Sequence, residues 1–371
     1  MNALGVGLLG LLLYTYVGYP LVVALWARVA PCRLKPQPDF EPTVSVCISV
    51  HNGAAYLREK LQSLQALDYP AHKLEFLLYS DGSTDDTERL AAELVASEPR
   101  LRVLRSQARQ GKPTGLNRLY AAATGDVLLM TDVRQPLTPH ALRALLAPLS
   151  DPRVGCVSGT LMLAGGTGAG AYWRYEKFIR VAEGQLGRMV GVSGSLYAIR
   201  RADFRELPGD VLLDDMFIPL SAVGERKRVV LAREAEAYDQ AYTDDREFGR
   251  KVRTLAGNYQ LLRKLPWLLV PFRNPVWFEL VSHKLLRLVC PFALLALLPL
   301  SVSLLLTTEL SSFARAFWLL TLVAQLAGYA LAAVGARAGK PGTLARTFVV
   351  LNAAAVLGLW RFLTKTQSVA W

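Results

Sequence analysis

Cysteine and histidine are scarce, with four of each in 371 residues. Cys32, Cys47, Cys156 and Cys290 are scattered and form no CxxC pair. That spacing excludes a disulfide framework and a thiolate zinc site, and it leaves small apolar side chains suited to a reducing compartment. Acidic residues are also few: 30 against 42 lysines and arginines, a net charge of +12. The excess fits contact with acidic headgroups or phosphates. It does not point to nucleic acid, because the basic residues are dispersed and accompany no nucleic-acid motif. There is no internal repeat and no low-complexity tail. What the chain has in quantity is apolar surface: 52% hydrophobic residues and a mean hydropathy of +0.26, beside 19% charged residues. A polar part must therefore coexist with a membrane-like one.

The uncharged stretch from Leu4 to Trp26 is long enough to cross about 30 Å of hydrocarbon. Tyr14, Tyr16, Tyr19 and Trp26 supply interfacial aromatics, and Arg28, Arg33 and Lys35 follow, which places the next domain in the cytoplasm. A cleaved signal peptide lacks so long an apolar core and would need a basic start. A joint with Pro31, Pro36, Pro38 and Pro42 leads into a polar domain from about Thr43 to Asn258. There Thr43–Val50, Glu75–Ser80, Leu101–Arg105 and Val127–Thr131 read as strands. Helices are expected over Tyr56–Leu67, over a stretch capped by Ser83 or Thr84 and ending at Ser97, over Thr114–Ala123 and over Thr138–Leu149. This alternation predicts an α/β fold with a mainly parallel, doubly wound sheet whose ligands sit at the carboxyl ends of its strands. After Asn258, Pro266–Phe278 reads as an interfacial segment. Apolar spans follow at Leu285–Leu306, Phe313–Val334 and Phe348–Leu363, the last two joined by a basic loop with Arg337, Lys340 and Arg346. The division is thus a transmembrane helix over 1–30, a cytoplasmic domain over 31–258, an interfacial segment over 259–284, and two or three transmembrane helices over 285–371.

Three acidic signals carry the chemistry. Ser80–Asp86 (SDGSTDD) follows a strand, so Asp81 can accept hydrogen bonds from a nucleoside while Gly82 and Ser83 shape the turn; a helix-capping turn uses the same residues. Gly125–Asp132 ends a hydrophobic strand on a carboxylate that can hold a divalent cation on a diphosphate. Arg134 can neutralise the same diphosphate by bidentate hydrogen bonds. Asp214 and Asp215 open an apolar helical run, where paired carboxylates push their pKa values apart and make one a usable base. The basic stretch Arg246–Thr254, with Arg250 and Arg253, either closes over a diphosphate or borders the membrane.

In this order the motifs resemble family 2 glycosyltransferases, especially the membrane-embedded branch of hyaluronan, cellulose and poly-N-acetylglucosamine synthases. The matching elements are Val46–Gly53 (VCISVHNG), Asp81–Asp86, Gly111–Asn117 (GKPTGLN), Gly125–Asp132, Gly191–Arg201, Asp214-Asp215 and Arg250–Thr254. The resemblance implies a GT-A-type, Rossmann-like domain flanked by transmembrane helices in the cell (inner or plasma) membrane. It implies transfer with inversion from a UDP-sugar to a saccharide or lipid-linked acceptor, in cell-surface polysaccharide synthesis. A single-sugar transferase to polyprenyl phosphate, or an inactive nucleotide-binding partner of an export or polymerisation system, stands beside it. Asp81 would hold the uridine, and His51, Asn52, Gly82, Ser83, Lys112, Arg134, Arg250 and Arg253 would border the donor. Asp132 would bind Mg²⁺ or Mn²⁺, Asp215 with Asp214 would act on the acceptor hydroxyl, and Gly191, Ser193, Gly194 and Ser195 would line the acceptor side. Two departures stand out. The family's Asp-x-Asp is Asp132-Val133-Arg134 here, short of one metal carboxylate. Its Gln-x-x-Arg-Trp is replaced by Arg250–Thr254, without the acceptor-capping tryptophan of the polymerising members.

Overall fold

The computed structural model describes residues 1–37, 39–164, 170–240, 244–306 and 310–368. Pro38 lies outside them, as do the side chains of Arg246 and Glu247 in the basic stretch. The helix Asn2–Val29 (α1) comes first. Val44–Val50 (β1), Ala54–Gln65 (α2), Leu74–Asp81 (β2), Thr87–Ser97 (α3), Leu101–Ser106 (β3), Lys112–Ala122 (α4) and Val127–Thr131 (β4) then alternate. They are followed by Ala141–Leu149 (α5), Val154–Ala164 (β5), Gly170–Leu186 (α6), Leu196–Arg200 (β6), Asp214–Gly224 (α7), Arg228–Gln240 (β7) and Asp244–Lys264 (α8).

Every residue of β1 and β4 is buried. Such continuous apolar runs survive burial on both faces because neighbouring strands satisfy their backbone groups while helices cover their side chains. The seven strands form one sheet in the order β3-β2-β1-β4-β6-β5-β7. β1, β2, β3 and β4 are parallel, as are β5 and β7, whereas β6 runs antiparallel to both β4 and β5. The chain builds outward from β1 to β3 and then returns to place β4 on the other side of β1. This reversal is the point where a doubly wound sheet opens a crevice at its strand ends. Leu57, Leu61 and Leu64 of α2 and Leu142, Leu145 and Leu146 of α5 belong to one apolar cluster of the core. Leu116 and Leu119 of α4 and Phe217, Ile218 and Leu220 of α7 belong to a second.

The expected caps differ in detail. Ser83 and Thr84 do not cap α3; Asp86 holds the N-cap position, and Asp85 just before it accepts from the Thr87 amide through Oδ1 at 3.1 Å. The chain of helix α8 runs through residue 258, so the polar domain and the segment after it share one helix. The next long helix starts at Trp277 rather than Leu285 and runs to Leu305 (α9). Ser312–Val334 (α10) and Gly339–Leu363 (α11) are joined by a tight turn with Gly335 and Gly339 at φ 60° and 68°. Arg337 lies in that turn, but Lys340 and Arg346 lie within α11, so the three do not form one basic loop. The runs Asn2–Val29, Trp277–Leu305 and Ser312–Leu363 are long and apolar enough to cross a membrane.

Buried polar contacts tie these helices to α6. Glu183 accepts from Tyr19 Oη at 2.6 Å and contacts His283 Nδ1 at 2.6 Å. Glu176 pairs with His283 Nε2 at 3.2 Å and with Arg287. Charges so deep persist only when partnered. The carboxylates of α6 therefore fix the apolar helices α1 and α9 against the sheet domain.

Candidate active site

The loops after β1 and β2 are knitted together. His51 Nδ1 donates to the Asp81 carbonyl at 2.9 Å. Asn52, in the left-handed region at φ 53°, accepts from the Thr84 amide at 2.8 Å, and its own amide donates to Ser83 Oγ at 3.1 Å. Gly82 sits at φ +60°, where a Cβ would come within 2.7 Å of the Arg109 backbone nitrogen, so both space and conformation require glycine. Asp81 is fully buried and accepts from the Gln110 and Gly111 amides at 2.7 and 2.8 Å. Its carboxylate thus fixes the loop that delivers Lys112 to the start of α4. These five residues form one cluster, linked through that loop to a second.

Lys112 is the centre of the second cluster. Its ammonium donates to Asp132 Oδ1 at 2.9 Å, just beyond β4, and lies 3.3 Å from Asp214 Oδ2. Asp214 and Asp215 occupy the first turn of α7, where the helix dipole favours negative charge. Burial and the Asp214 charge push the Asp215 carboxyl up to about 6, with Lys112, Arg180 and Lys284 opposing. Gly191–Ser195 folds directly over it. The Val192 amide donates to the Asp215 carbonyl at 2.9 Å, and a Cβ on Gly194 would stand 3.7 Å from Asp215 Cβ and 3.8 Å from Lys112 Nζ. Ser193 and Ser195 hydroxyls meet at 2.7 Å. From α8, Arg253 enters the same field: burial lowers its pKa while Asp214 and Asp215 oppose that. Arg250, on the same helix, is exposed. Arg134 donates to Asp239 Oδ2 at 2.8 Å, and Gln135 Nε2 donates to the same oxygen at 2.7 Å. The arginine that replaces a metal carboxylate is thus itself held by an acid at the end of β7.

The sequence reading missed three residues of this region: Asp239, Arg180 and Lys60. Lys60 is about fully buried and donates to Thr131 Oγ1 at 2.7 Å and to the Gln135 carbonyl at 2.6 Å. Thr131 in turn donates to the Ser195 carbonyl at 2.8 Å. One ammonium therefore pins both the turn carrying Asp132 and the loop over Asp215. Burial pulls its pKa down to about 7, against the attraction of Asp132. Its signal was available: Lys60 stands on the Leu57, Leu61, Leu64 stripe of α2, where a cation is out of place.

For a divalent ion the donor set is thin. Among the described residues no three His, Cys, Asp or Glu side chains gather as a metal cage. Asp132 is already engaged by Lys112, and the neighbouring position holds Arg134. These residues do not fit a metal bound by protein ligands alone.

Comparison with known proteins agrees with the geometry. Residues 45–207 match the family model described as Glycosyl transferase family 2. A probable glycosyltransferase of Bacillus subtilis, YdaM, is 27% identical over 45% of this chain and 43% of its own length. A beta-monoglucosyldiacylglycerol synthase of Nostoc sp. is 29% identical over 39% of this chain and 31% of its own. The matched region spans less than half the length of these curated relatives. Among solved structures, a mannosyltransferase of Pyrobaculum calidifontis in complex with GDP-Man and Mn²⁺ superposes with a TM-score of 0.75. It covers 99% of both chains at 22% identity. Residues 45–207 thus carry a family 2 glycosyltransferase match, and the seven-stranded sheet that contains them has the GT-A fold of the Pyrobaculum enzyme.

Proposed function

We propose that the chain transfers a sugar from a nucleotide sugar to an acceptor presented at a membrane, with inversion at the anomeric carbon. The observation that carries this is the base-like Asp215, held under the glycine–serine loop and next to the Lys112–Asp132 pair. The acceptor hydroxyl gives its proton to Asp215 as its oxygen bonds the anomeric carbon. The bond from that carbon to phosphate breaks, and the nucleoside diphosphate departs. Lys112 stabilises the departing charge. The Pyrobaculum relative was solved with Mn²⁺, but this donor set assigns charge neutralisation to Lys112, and a divalent ion would arrive on the nucleotide rather than on the protein. A UDP-linked sugar is the expected donor. Incubating the purified chain, in native-lipid vesicles, with UDP- and GDP-sugars and identifying products by mass spectrometry tests the reading. Nucleotide binding without turnover on any donor would make the chain an inactive partner instead.

The apolar helices and the basic flank after α1 support a multi-pass protein of the cell membrane with residues 31–258 on the cytoplasmic side. A cysteine in place of Glu93, exposed on α3, should then resist an impermeant thiol reagent in intact cells and react in inverted vesicles. Labelling in intact cells would reverse this topology.

The Lys60 bridge predicts a two-sided defect. Lys60→Met should raise the KM for donor and for acceptor together, on the order of tenfold, because small misplacements of reacting groups are costly. The fold should hold, since a buried methionine needs no hydrogen bonds. Thr131→Val removes the arm to Ser195 and one of the two acceptors of Lys60 but leaves its bond to the Gln135 carbonyl, so it should raise the acceptor KM more than the donor KM. Equal effects of the two variants on both substrates would show that Lys60 serves the core and not the site.

A further inference from the structure

The transferase reading leaves two cations unused, Arg180 of α6 and Lys284 of α9. Ser158 Oγ accepts from the Ser193 amide at 2.9 Å and from Arg180 Nη2 at 3.1 Å. Arg180 of α6 is thus one side chain away from the loop over Asp215. Lys284 follows His283 at the start of α9, the turn that Glu176 and Glu183 clamp to α6. Neither Arg180 nor Lys284 has a carboxylate within 4 Å among the described residues, although both are half-buried. The acids nearest to them are engaged: Glu183 by Tyr19 and His283, Glu176 by His283 and Arg287. Arg180 lies between Glu176 and Glu183 on one face of α6, and these acids hold His283, so Arg180 and Lys284 belong to the same seam between α6 and α9. Half-buried cations without a counter-ion are costly, and a bound anion relieves that cost.

We propose that the acceptor is a lipid carrying both a phosphate and a free hydroxyl, with the phosphate between Arg180 and Lys284 and the hydroxyl at Asp215. This rests on the transferase reading above. Three features select that chemistry. The donor diphosphate is assigned to Lys112, so a second anion must come from the acceptor. Lys284 belongs to a membrane-length helix whose first turn carries Phe278, packed on Trp26 with ring centroids 6.0 Å apart, an interfacial setting for a headgroup. A neutral hydroxyl needs a base such as Asp215, whereas a phosphate monoester oxygen, ionised near neutral pH, does not. In the step itself the hydroxyl proton passes to Asp215 and the hydroxyl oxygen bonds the anomeric carbon. The carbon–phosphate oxygen bond of the donor breaks with its electron pair leaving on the nucleoside diphosphate. The lipid phosphate is unchanged throughout.

The test uses the full chain in phosphatidylcholine vesicles doped with one of four acceptors. Phosphatidylinositol and a polyprenyl-diphosphate sugar each offer phosphate and hydroxyl. Diacylglycerol offers a hydroxyl alone, and polyprenyl phosphate a phosphate alone. Either or both of the first two should turn over at least tenfold faster than the last two, and which one does so names the source. Arg180→Gln and Lys284→Gln should each raise the KM for that lipid about tenfold and leave the donor KM unchanged; Arg180→Lys should recover part of the loss. Faster transfer to diacylglycerol or polyprenyl phosphate, or variants that leave the acceptor KM unmoved, would overturn the proposal while leaving the transferase reading intact. Failure of that reading looks different: no nucleotide release with any lipid or with soluble saccharide acceptors, whereas release with a saccharide alone would overturn only the lipid proposal.

Discussion

Asp215→Asn should cut turnover on the order of a hundredfold or more while donor affinity stays nearly unchanged. The amide keeps the shape of the carboxyl and the start of α7, so what is lost is the proton acceptor. A hundredfold corresponds to about 2.7 kcal/mol of transition-state stabilisation. The pH profile of the unaltered protein supplies an independent check. Because burial and Asp214 raise the Asp215 carboxyl to about 6, the base is ionised above that value and protonated below it. Activity should therefore fall as pH drops through about 6, and the residual activity of Asp215→Asn should lack that limb. Should Asp214→Asn abolish turnover while Asp215→Asn retains it, the base is Asp214, whose side chain is turned to Lys112.

The parts of this molecule that were legible in its sequence share a physical cause. Val44–Val50 and Val127–Thr131 announce themselves because a strand buried on both faces must be rich in small and apolar residues and free of charge, and the acids placed just after such runs lie at the sheet's ligand edge. Asp81 and Asp132 are legible this way, whereas Asp214 and Asp215 are legible as paired acids opening an apolar helical run, and the structure brings Asp132 and Asp214 to Lys112. The alternation gives the mainly parallel sheet, but not its one antiparallel strand among the described residues. Leu196–Arg200 is a short, largely buried run with nothing in its sequence to mark its antiparallel pairing with β4 and β5. The start of α9 was hidden by Pro266, Pro271 and Pro275, which end before a helix that then runs unbroken from Trp277. Arg134 illustrates a further limit. Its charge was plain, but its partner Asp239 stands on β7, far along the chain. Lys60 was readable as a cation in an apolar stripe, yet its two acceptors come from another strand and the turn after it.

Lys112→Met should be nearly as damaging as loss of the base, and for two separable reasons. The first is direct: removing a preorganised positive group from a departing diphosphate costs on the order of a hundredfold to a thousandfold in turnover. The second runs through the carboxylates. Lys112 pairs with Asp132 and Asp214 and opposes the rise in the Asp215 pKa. Without it, Asp132, Asp214 and Asp215 face one another with less positive charge between them, and like charges raise each other's pKa. The acid limb of the pH profile should therefore move to higher pH in Lys112→Met, so that part of the lost activity returns on raising the pH toward 8. The same vacancy leaves Asp132 unpaired beside acids, an arrangement that suits Mg²⁺ or Mn²⁺ better than the native one. Added Mn²⁺ should thus restore more activity to Lys112→Met than it adds to the unaltered protein. Measuring kcat against pH and metal concentration for both proteins decides the matter. An unshifted acid limb, with a metal response identical to that of the native chain, would remove Lys112 from the charge balance of the site.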